Sequence, residues 1–352
     1  MDNKEISKEL ISVIVPCFNE MEALPFFFDA IKEVENQMTD YAFEVIYIDD
    51  GSKDDTLSVI KEHAKTDNTT KYVSFSRNFG KESAMLAGLR KAKGDYAAIM
   101  DADLQDPPSL LPRMMQVIKE KNCDSVATKR GNRKGEPPVR SFFARCFYKI
   151  INKISKVKFV SGARDFRLMK RKMVDAVLSL CEYNRFSKGI FEWVGFKTEW
   201  ISFENVKRVA GKTKWSFWSL FRYSLDCIVA FSTVPLSISS YCGFFFFFLS
   251  IIGAIYIIIR KIVDSSSSVT GWASLVCIIL FVGGIQLLCI GVLGQYLSKT
   301  YMETKRRPAY IVAETEKDLE ISGPEKEKAK NNEIDKNTED KENETRNHSA
   351  DT

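Results

Sequence analysis

The sequence predicts an α/β protein with a mostly parallel, doubly wound sheet, followed by an apolar helical hairpin. Three observations carry that prediction. Short β-branched runs alternate with stretches of helical periodicity through the first third of the chain. Each cluster of acidic and polar residues there falls directly after one of those runs, where parallel sheets bind their ligands. Two long uncharged segments lie toward the C-terminal end.

Ile11-Ser-Val-Ile-Val15 is the first strand, ended by Pro16-Cys-Phe-Asn-Glu20. Leu24, Phe27, Phe28, Ile31 and Val34 follow at helical spacing. Phe43-Glu-Val-Ile-Tyr-Ile48 is the second strand, closed by Asp49-Asp-Gly-Ser-Lys-Asp-Asp-Thr56, and Leu57 to Ala64 reads as helix. Tyr72-Val-Ser-Phe75 is a short third strand, with a helix from Lys81 to Lys91. Tyr96-Ala-Ala-Ile-Met100 is a buried fourth strand, which Pro107-Pro108 keeps from continuing.

Asp101-Ala-Asp-Leu-Gln-Asp106 follows that fourth strand. At a turn Asp101 and Asp103 converge. Together with the Gln105 amide oxygen they form a hard-oxygen set suited to Mg²⁺ or Mn²⁺ holding a substrate's phosphates. Alone, the same residues also describe a solvated acidic turn that caps a strand, so the neighbouring clusters decide. Carboxylates at strand ends, such as Glu20 and Asp50, are placed to accept hydrogen bonds from a base or ribose. Asp54 and Asp55 serve equally well as caps of the next helix. No G-x-G-x-x-G follows the first strand and no G-x-x-x-x-G-K-[ST] occurs, which disfavours a dinucleotide-dependent dehydrogenase and a P-loop NTPase.

At 352 residues the chain can bury a sizeable core as one large domain or two modest ones. Its net charge of +5 hides an asymmetry. From Glu314 onward, 13 acidic and seven basic residues give −6, which leaves +11 on the remainder. A basic body is compatible with nucleic acid, anionic lipid or phosphorylated substrates. The eight cysteines are scattered without a C-x-x-C, and there are only two histidines. That disfavours zinc and a disulfide framework, and it points to a reducing compartment. Met1-Asp-Asn-Lys-Glu5 lacks the apolar core of a signal peptide.

Val15-Pro-Cys-Phe-Asn-Glu20, Ile48-Asp-Asp-Gly-Ser52, Arg77-Asn-Phe-Gly-Lys81 and Met100-Asp-Ala-Asp-Leu-Gln-Asp-Pro-Pro108 stand in that order. In this the chain resembles the family 2 glycosyltransferases of GT-A fold. It is nearest to the polyisoprenyl-phosphate branch, which includes dolichyl-phosphate mannose synthase and the bactoprenol (undecaprenyl-phosphate) glucosyltransferases. The resemblance runs from about Ile11 to Pro308. It implies that Pro16, Glu20, Ile48 and Asp50 line a nucleotide pocket. It also implies that Asp101 and Asp103 bind metal and diphosphate, with Gln105 completing the metal shell. A divalent ion would stabilise the charge that develops on a nucleotide diphosphate leaving group.

Further motifs extend the likeness. Lys129-Arg-Gly-Asn-Arg-Lys-Gly-Glu-Pro-Pro138 is a basic Gly/Pro-rich loop, followed by Arg140 and Arg145. A phosphate-bearing acceptor needs guanidinium groups nearby, and the resemblance assigns phosphate contacts to Arg130 and Arg140. Arg133 and Lys134 suit a solvated loop as well as a lid. Ser161-Gly-Ala-Arg-Asp-Phe-Arg-Leu-Met169 resembles the bactoprenol enzymes' segment whose aspartate is the proposed catalytic base, which makes Asp165 the candidate. A phosphate monoester is already largely ionised near neutrality (second pKa about 6), so Asp165 acts either as base or as a group that orients sugar or acceptor. Arg167 is either a phosphate contact or a partner of Asp165. Arg185 and Lys188, set among aromatics, fit a groove where lipid meets phosphate, or an ordinary packed helix. Arg208-Val-Ala-Gly-Lys-Thr-Lys214 resembles the family's R-x-x-G-x-[ST]-K element, in which Arg208 and Lys214 would grip phosphate.

Trp215 to Val229 carries aromatic and aliphatic residues at helical spacing and reads as an interfacial helix. Pro235 to Ile259 and Gly271 to Tyr296 are uncharged and long enough to cross a bilayer. Basic residues flank the pair outside the short linker: Lys207, Arg208, Lys212, Lys214 and Arg222 before it, Lys299, Lys305, Arg306 and Arg307 after it. That bias predicts a cytoplasmic catalytic domain and cytoplasmic termini. The expected domains are a GT-A domain over 1–212, the interfacial helix over 213–232, the transmembrane hairpin over 233–298, and a basic segment with a disordered tail over 299–352.

The expected activity is inverting, metal-dependent transfer of a hexose, glucose from UDP-glucose first, to undecaprenyl phosphate at the cytoplasmic membrane face. The alternatives are N-acetylglucosamine or a modified aminosugar as the sugar, a processive polysaccharide synthase, and a non-catalytic membrane scaffold. The missing Q-x-x-R-W weighs against the synthase. The expected partners are the nucleotide sugar, the lipid phosphate and the membrane, without nucleic acid, and the resemblance adds a homo-oligomer, a tetramer in the family.

Overall fold

β1 (Glu9–Cys17) is buried from Ile11 through Val15, so both of its faces are covered, as a central parallel strand requires. The computed structural model describes residues 8–131, 138–155, 157–180, 182–203, 217–263 and 271–321. After β1 come α1 (Leu24–Gln37), β2 (Tyr41–Asp49), α2 (Thr56–Thr66), β3 (Thr70–Phe75), α3 (Lys81–Lys91) and β4 (Tyr96–Ile99). The chain continues through α4 (Leu111–Lys121), β5 (Ser125–Arg130), α5 (Pro138–Ile154), β6 (Ala163–Lys170) and α6 (Arg171–Leu178). Next are α7 (Ser187–Trp193), β7 (Thr198–Phe203), α8 (Phe217–Phe231), α9 (Val234–Val263) and α10 (Trp272–Thr304). β8 (Val312–Thr315) and α11 (Glu316–Ile321) close the described chain.

The strands form one eight-stranded sheet in the order β7-β5-β6-β4-β1-β2-β3-β8. β1 to β4 are mutually parallel, and the order reverses between β1 and β4. This is the topological switch point at which open α/β sheets bind ligands. Its two strand ends carry Pro16 to Glu20 and Asp101 to Asp106.

Alternation along β1 sends Ile11, Val13 and Val15 to one face, against Leu24, Phe27 and Ile31 of α1 and Met114 of α4. Ile14 points to the other face, with Ile46, Ile48, Met85 and Val174. Each such side chain contributes about 1.5–3 kcal/mol relative to exposure. A Cβ on Gly88 would fall 2.2 Å from Ile14 Cγ2, so a glycine there lets α3 sit close on the sheet.

β6 runs antiparallel between β4 and β5, with Arg167 opposite Ile99. Its N-terminal residues therefore lie at the same sheet edge as the C-terminal end of β4. Counting outward from that pair puts Asp165 level with Asp101.

The segment expected as a basic run and disordered tail differs in its first part. Beyond α10 the chain returns to the catalytic sheet, where β8 pairs antiparallel with β3. Tyr310 stacks on Phe75 with ring centroids 4.9 Å apart. Glu314 pairs with Lys61 at 2.6 Å and Glu316 with Lys91 at 2.7 Å. An otherwise open sheet edge is thereby covered. Residues 322–352 lie outside the described residues.

α9 and α10 are two helices long and apolar enough to cross a membrane. Their large side chains face outward: Phe244 is 64% exposed and Leu287 71%. Such surfaces indicate membrane association. Both ends of the pair are tied to one side. Tyr296 donates to the Ser232 carbonyl at 2.6 Å, and Lys299 pairs with Asp226 of α8 at 2.8 Å. Glu303 accepts the backbone N–H groups of Tyr183 and Asn184.

Candidate active site

Three loops are knitted together at the carboxyl ends of β1, β2 and β3. Asn19, in the left-handed region at φ 54°, donates its N–H to Ser52 Oγ and accepts from Lys53 N–H at 2.8 Å. Asp49 accepts from Ser52 N–H and Ser74 Oγ. Asp54 accepts from Thr56 N–H two residues on, a turn that leads into α2, while Asp55 at the N-cap makes no side-chain capping bond. Asp50 accepts the N–H groups of Phe79 at 2.6 Å and Gly80 at 2.9 Å, and burial raises its pKa. Gly51 has φ +65°, and a Cβ on it would lie 2.4 Å from the Arg77 carbonyl carbon. The carboxylate of Asp50 thus anchors the 76–80 loop at the end of β2. Pro16 and Glu20 are half-buried beside it. Ile48, expected on the pocket wall, has no exposed surface and sits in the core below.

In the acidic turn, Leu104 takes φ 55°, a strained conformation for a leucine that costs about 1–3 kcal/mol. The turn is held by Asp103, which accepts Gln105 N–H at 3.1 Å. Asp106 is fully buried and pairs with Arg164 Nε at 2.8 Å. Its second oxygen has no hydrogen-bond partner among the described residues. Burial lifts this carboxyl to about 6 against the pull of Arg164. Arg164 also donates to Gln105 Oε1 at 3.2 Å, so the amide oxygen expected to face a metal is engaged by a guanidinium.

Asp101 and Asp165 are brought together by a residue that the motif reading passed over. Lys81 Nζ lies 2.6 Å from Asp101 Oδ1 and 2.5 Å from Asp165 Oδ2. Lys188 Nζ approaches the other oxygen of Asp165 at 3.5 Å. Burial works against the Lys81 ammonium, but the two carboxylates outweigh it and hold the pKa above its ordinary value. Burial likewise opposes charge on Asp165, yet Lys188 and Lys81 keep its carboxyl well below the usual range. The first turn of α3, the end of β4, the start of β6 and the start of α7 therefore meet at one ionic cluster.

The family model "Glycosyl transferase family 2" matches residues 12–178. The chain is 41% identical over 307 residues to the prophage bactoprenol glucosyl transferase homolog of Escherichia coli, a span covering 87% of this chain and 99% of that protein. The chain is a family 2 glycosyltransferase. It is also 44% identical over 305 residues to the putative glycosyltransferase CsbB of Bacillus subtilis, covering 87% of this chain and 92% of the other. The bactoprenol glucosyl transferase of Shigella phage SfX is 41% identical over 302 residues, covering 86% and 98%. Among solved structures, the mannosyltransferase PcManGT from Pyrobaculum calidifontis, in complex with GDP-Man and Mn²⁺, is similar at a TM-score of 0.43 and 16% identity, covering 83% of this chain and 88% of that one.

Several residues of this glycosyltransferase take places that its sequence did not disclose. Arg167 neither meets Asp165 nor reaches a surface. It is buried between Phe191 and Trp200 and pairs with Glu192 at 2.9 Å. Position along β6 explains this, because residues 165 and 167 share a face but only the first lies at the sheet edge. Arg185 donates to the carbonyls of Leu180 and Val177 and so braces the end of α6. Arg130 ends β5, where its N–H donates to the Gly162 carbonyl beside the site. Arg140 stands in the first turn of α5. Arg208 and Lys214 lie outside the described residues.

Among the described residues no group of three or more His, Cys, Asp or Glu converges as a metal cage. The carboxylates of Asp101 and Asp103 are hard oxygens that fit Mg²⁺ or Mn²⁺ when substrate phosphates complete the shell, and the amide oxygen of Gln105 joins them only on leaving Arg164.

Glu82 of the glycosyltransferase accepts the N–H of Ser187 at 2.9 Å and also its hydroxyl. That contact fixes the N-terminus of α7 and with it Lys188. Burial raises the Glu82 carboxyl from 4.5 to about 6. Between those values the folded chain holds a proton that the unfolded chain has released. Stability therefore falls as pH rises through that window, by about 1 kcal/mol once solvent screening is allowed for. Glu82→Gln lessens the slope and leaves the part that the raised carboxyl of Asp106 contributes. An unchanged slope in thermal melts of that variant would assign the proton to another group.

Proposed function

We propose that this glycosyltransferase moves glucose from UDP-glucose to undecaprenyl phosphate, with inversion and with Mg²⁺ or Mn²⁺, at the cytoplasmic face of the membrane. The observation that carries the reading is the meeting of Asp101 and Asp165 at the switch point, beside a helix pair whose ends both attach to the catalytic domain. The names of the bactoprenol relatives support the acceptor. Lys299, Lys305, Arg306 and Arg307 support the cytoplasmic orientation.

In this reading Asp101, Asp103 and Gln105 hold the divalent ion, which when bound neutralises charge on the leaving diphosphate. Pro16, Glu20 and Asp50 form the nucleotide end. Arg130, Arg140, Arg208 and Lys214 serve the phosphates. Asp165, kept ionised by two lysines, is a poor proton acceptor. An acceptor phosphate already largely ionised near pH 7 needs none (second pKa about 6). Asp165 therefore positions the lysines and the incoming phosphate. The membrane helices hold the reacting groups at the lipid headgroup, so the gain is one of proximity.

Membranes containing the chain, supplied with polyprenyl phosphate and labelled UDP-glucose, should pass label into the organic phase. UDP-N-acetylglucosamine in a parallel reaction should not. Label entering only from the aminosugar would replace the sugar, and long polymer without lipid-linked monosaccharide would overturn the monotransferase reading.

A further inference from the structure

Lys81 opens α3 directly after Gly80, whose N–H is held by Asp50. The backbone at this point is pinned, and the four-carbon stem spans the gap to the acidic turn. The side chain remains 39% exposed. Its head group can swing away without unfolding anything around it, as a flexible point charge allows and a rigid guanidinium does not.

Side-chain cations occupy the oxygen donors of the cluster. Lys81 is on Asp101 and Asp165, Lys188 on Asp165, and Arg164 on Asp106 and Gln105. Asp101 and Gln105 are also the groups read above as metal ligands. A divalent ion that arrives alone must share Asp101 with an ammonium 2.6 Å away and finds, among the described residues, too few carboxylates to form a cage. A nucleoside diphosphate changes that balance. It brings phosphate oxygens for the metal's open positions and a new anionic partner for the displaced ammonium.

We propose that Lys81 is a resident counter-ion, which competes with the divalent metal for Asp101 in the donor-free enzyme and passes to the donor's diphosphate when it binds. The inference rests on the metal–diphosphate reading of the site. Its consequence is that metal and nucleotide bind as a coupled pair. By linkage each tightens the other by the same factor, and Lys81 supplies part of that factor.

The test measures Mn²⁺ binding to the full chain in detergent by electron paramagnetic resonance, with and without UDP and without turnover. In the wild type, UDP should tighten Mn²⁺ by about tenfold or more, within the usual range of coupling between sites. In Lys81→Met, Mn²⁺ alone should bind about tenfold tighter than to the wild type, and the UDP effect should shrink to about threefold or less. Lys81→Gln should behave as Lys81→Met does, and Lys81→Arg, which keeps a cation over Asp101, should stay near the wild type. Mn²⁺ binding no tighter in both neutral variants, with the UDP effect intact, would overturn the role of Lys81. A wild type that binds no Mn²⁺ even with UDP would overturn the metal–diphosphate reading and this inference with it.

Discussion

Asp165→Asn lowers sugar transfer about a thousandfold, the middle of the range for an essential polar group in a reaction centre, while UDP binding stays close to that of the wild type. The expectation follows from geometry. Asp165 is where Lys81 and Lys188 meet, at 2.5 and 3.5 Å, and it carries the charge that holds both. An amide keeps the shape and loses the charge, so Lys188 loses its carboxylate and Lys81 is left on Asp101 alone. The proposed nucleotide end, at the β1 and β2 loops, is left intact. Steady-state kinetics with UDP-glucose and polyprenyl phosphate, alongside UDP binding, separate these effects. The pH profile separates the two roles of Asp165. With its carboxyl held well below the ordinary range, a positioning Asp165 contributes no ionisation to kcat/KM above pH 5. A limb in the wild-type profile that disappears in Asp165→Asn would make it a base after all. A loss under threefold would remove Asp165 from the mechanism.

Asp101→Ala abolishes transfer to a similar depth, about a thousandfold or more, by removing one of the two carboxylates proposed to hold the metal. Chelator should reproduce the loss in the wild type, and added Mg²⁺ or Mn²⁺ should restore the wild type only. Asp101 is half-buried, and its principal contact is Lys81, which keeps Asp165 as partner when Asp101 is gone. The variant should therefore fold. A normal thermal melt together with full activity would leave the acidic turn as no more than a strand cap, the reading open to it from sequence alone.

The fold was legible because its first four strand–helix units are local and periodic. Ile11 to Val15 and Phe43 to Ile48 are β-branched or aromatic runs bounded by Pro, Gly and Asp, and each became a central strand. The amphipathic spacing of Leu24, Phe27 and Ile31 became the buried face of α1. The apolar hairpin was legible for the same reason, since twenty uncharged residues need no tertiary context to be recognised. Less of the site could be read. Asp101, Asp103 and Asp165 stood out by motif, but Lys81 sat in a run noted for its likeness and not for its chemistry. Arg164, beside Asp165 in the chain, carries no motif signal for its pairing with Asp106 and Gln105. Arg167 was weighed as a phosphate ligand, and burial between Phe191 and Trp200 removed it from that role.

By itself, the sequence determined the first four strands, the three helices between them and the membrane-length spans, and which of those strand ends carry the acidic clusters. Those properties depend on neighbours a few residues apart. Only the tertiary structure decided that β6 enters antiparallel between β4 and β5, which sets Asp165 opposite Asp101 across 64 positions of chain. It alone brought Lys81 between them and returned Val312–Thr315 to the edge of β3 beyond the membrane helices. Strand order and ion-pair partners are set by packing between distant segments, and no local period in the chain records them.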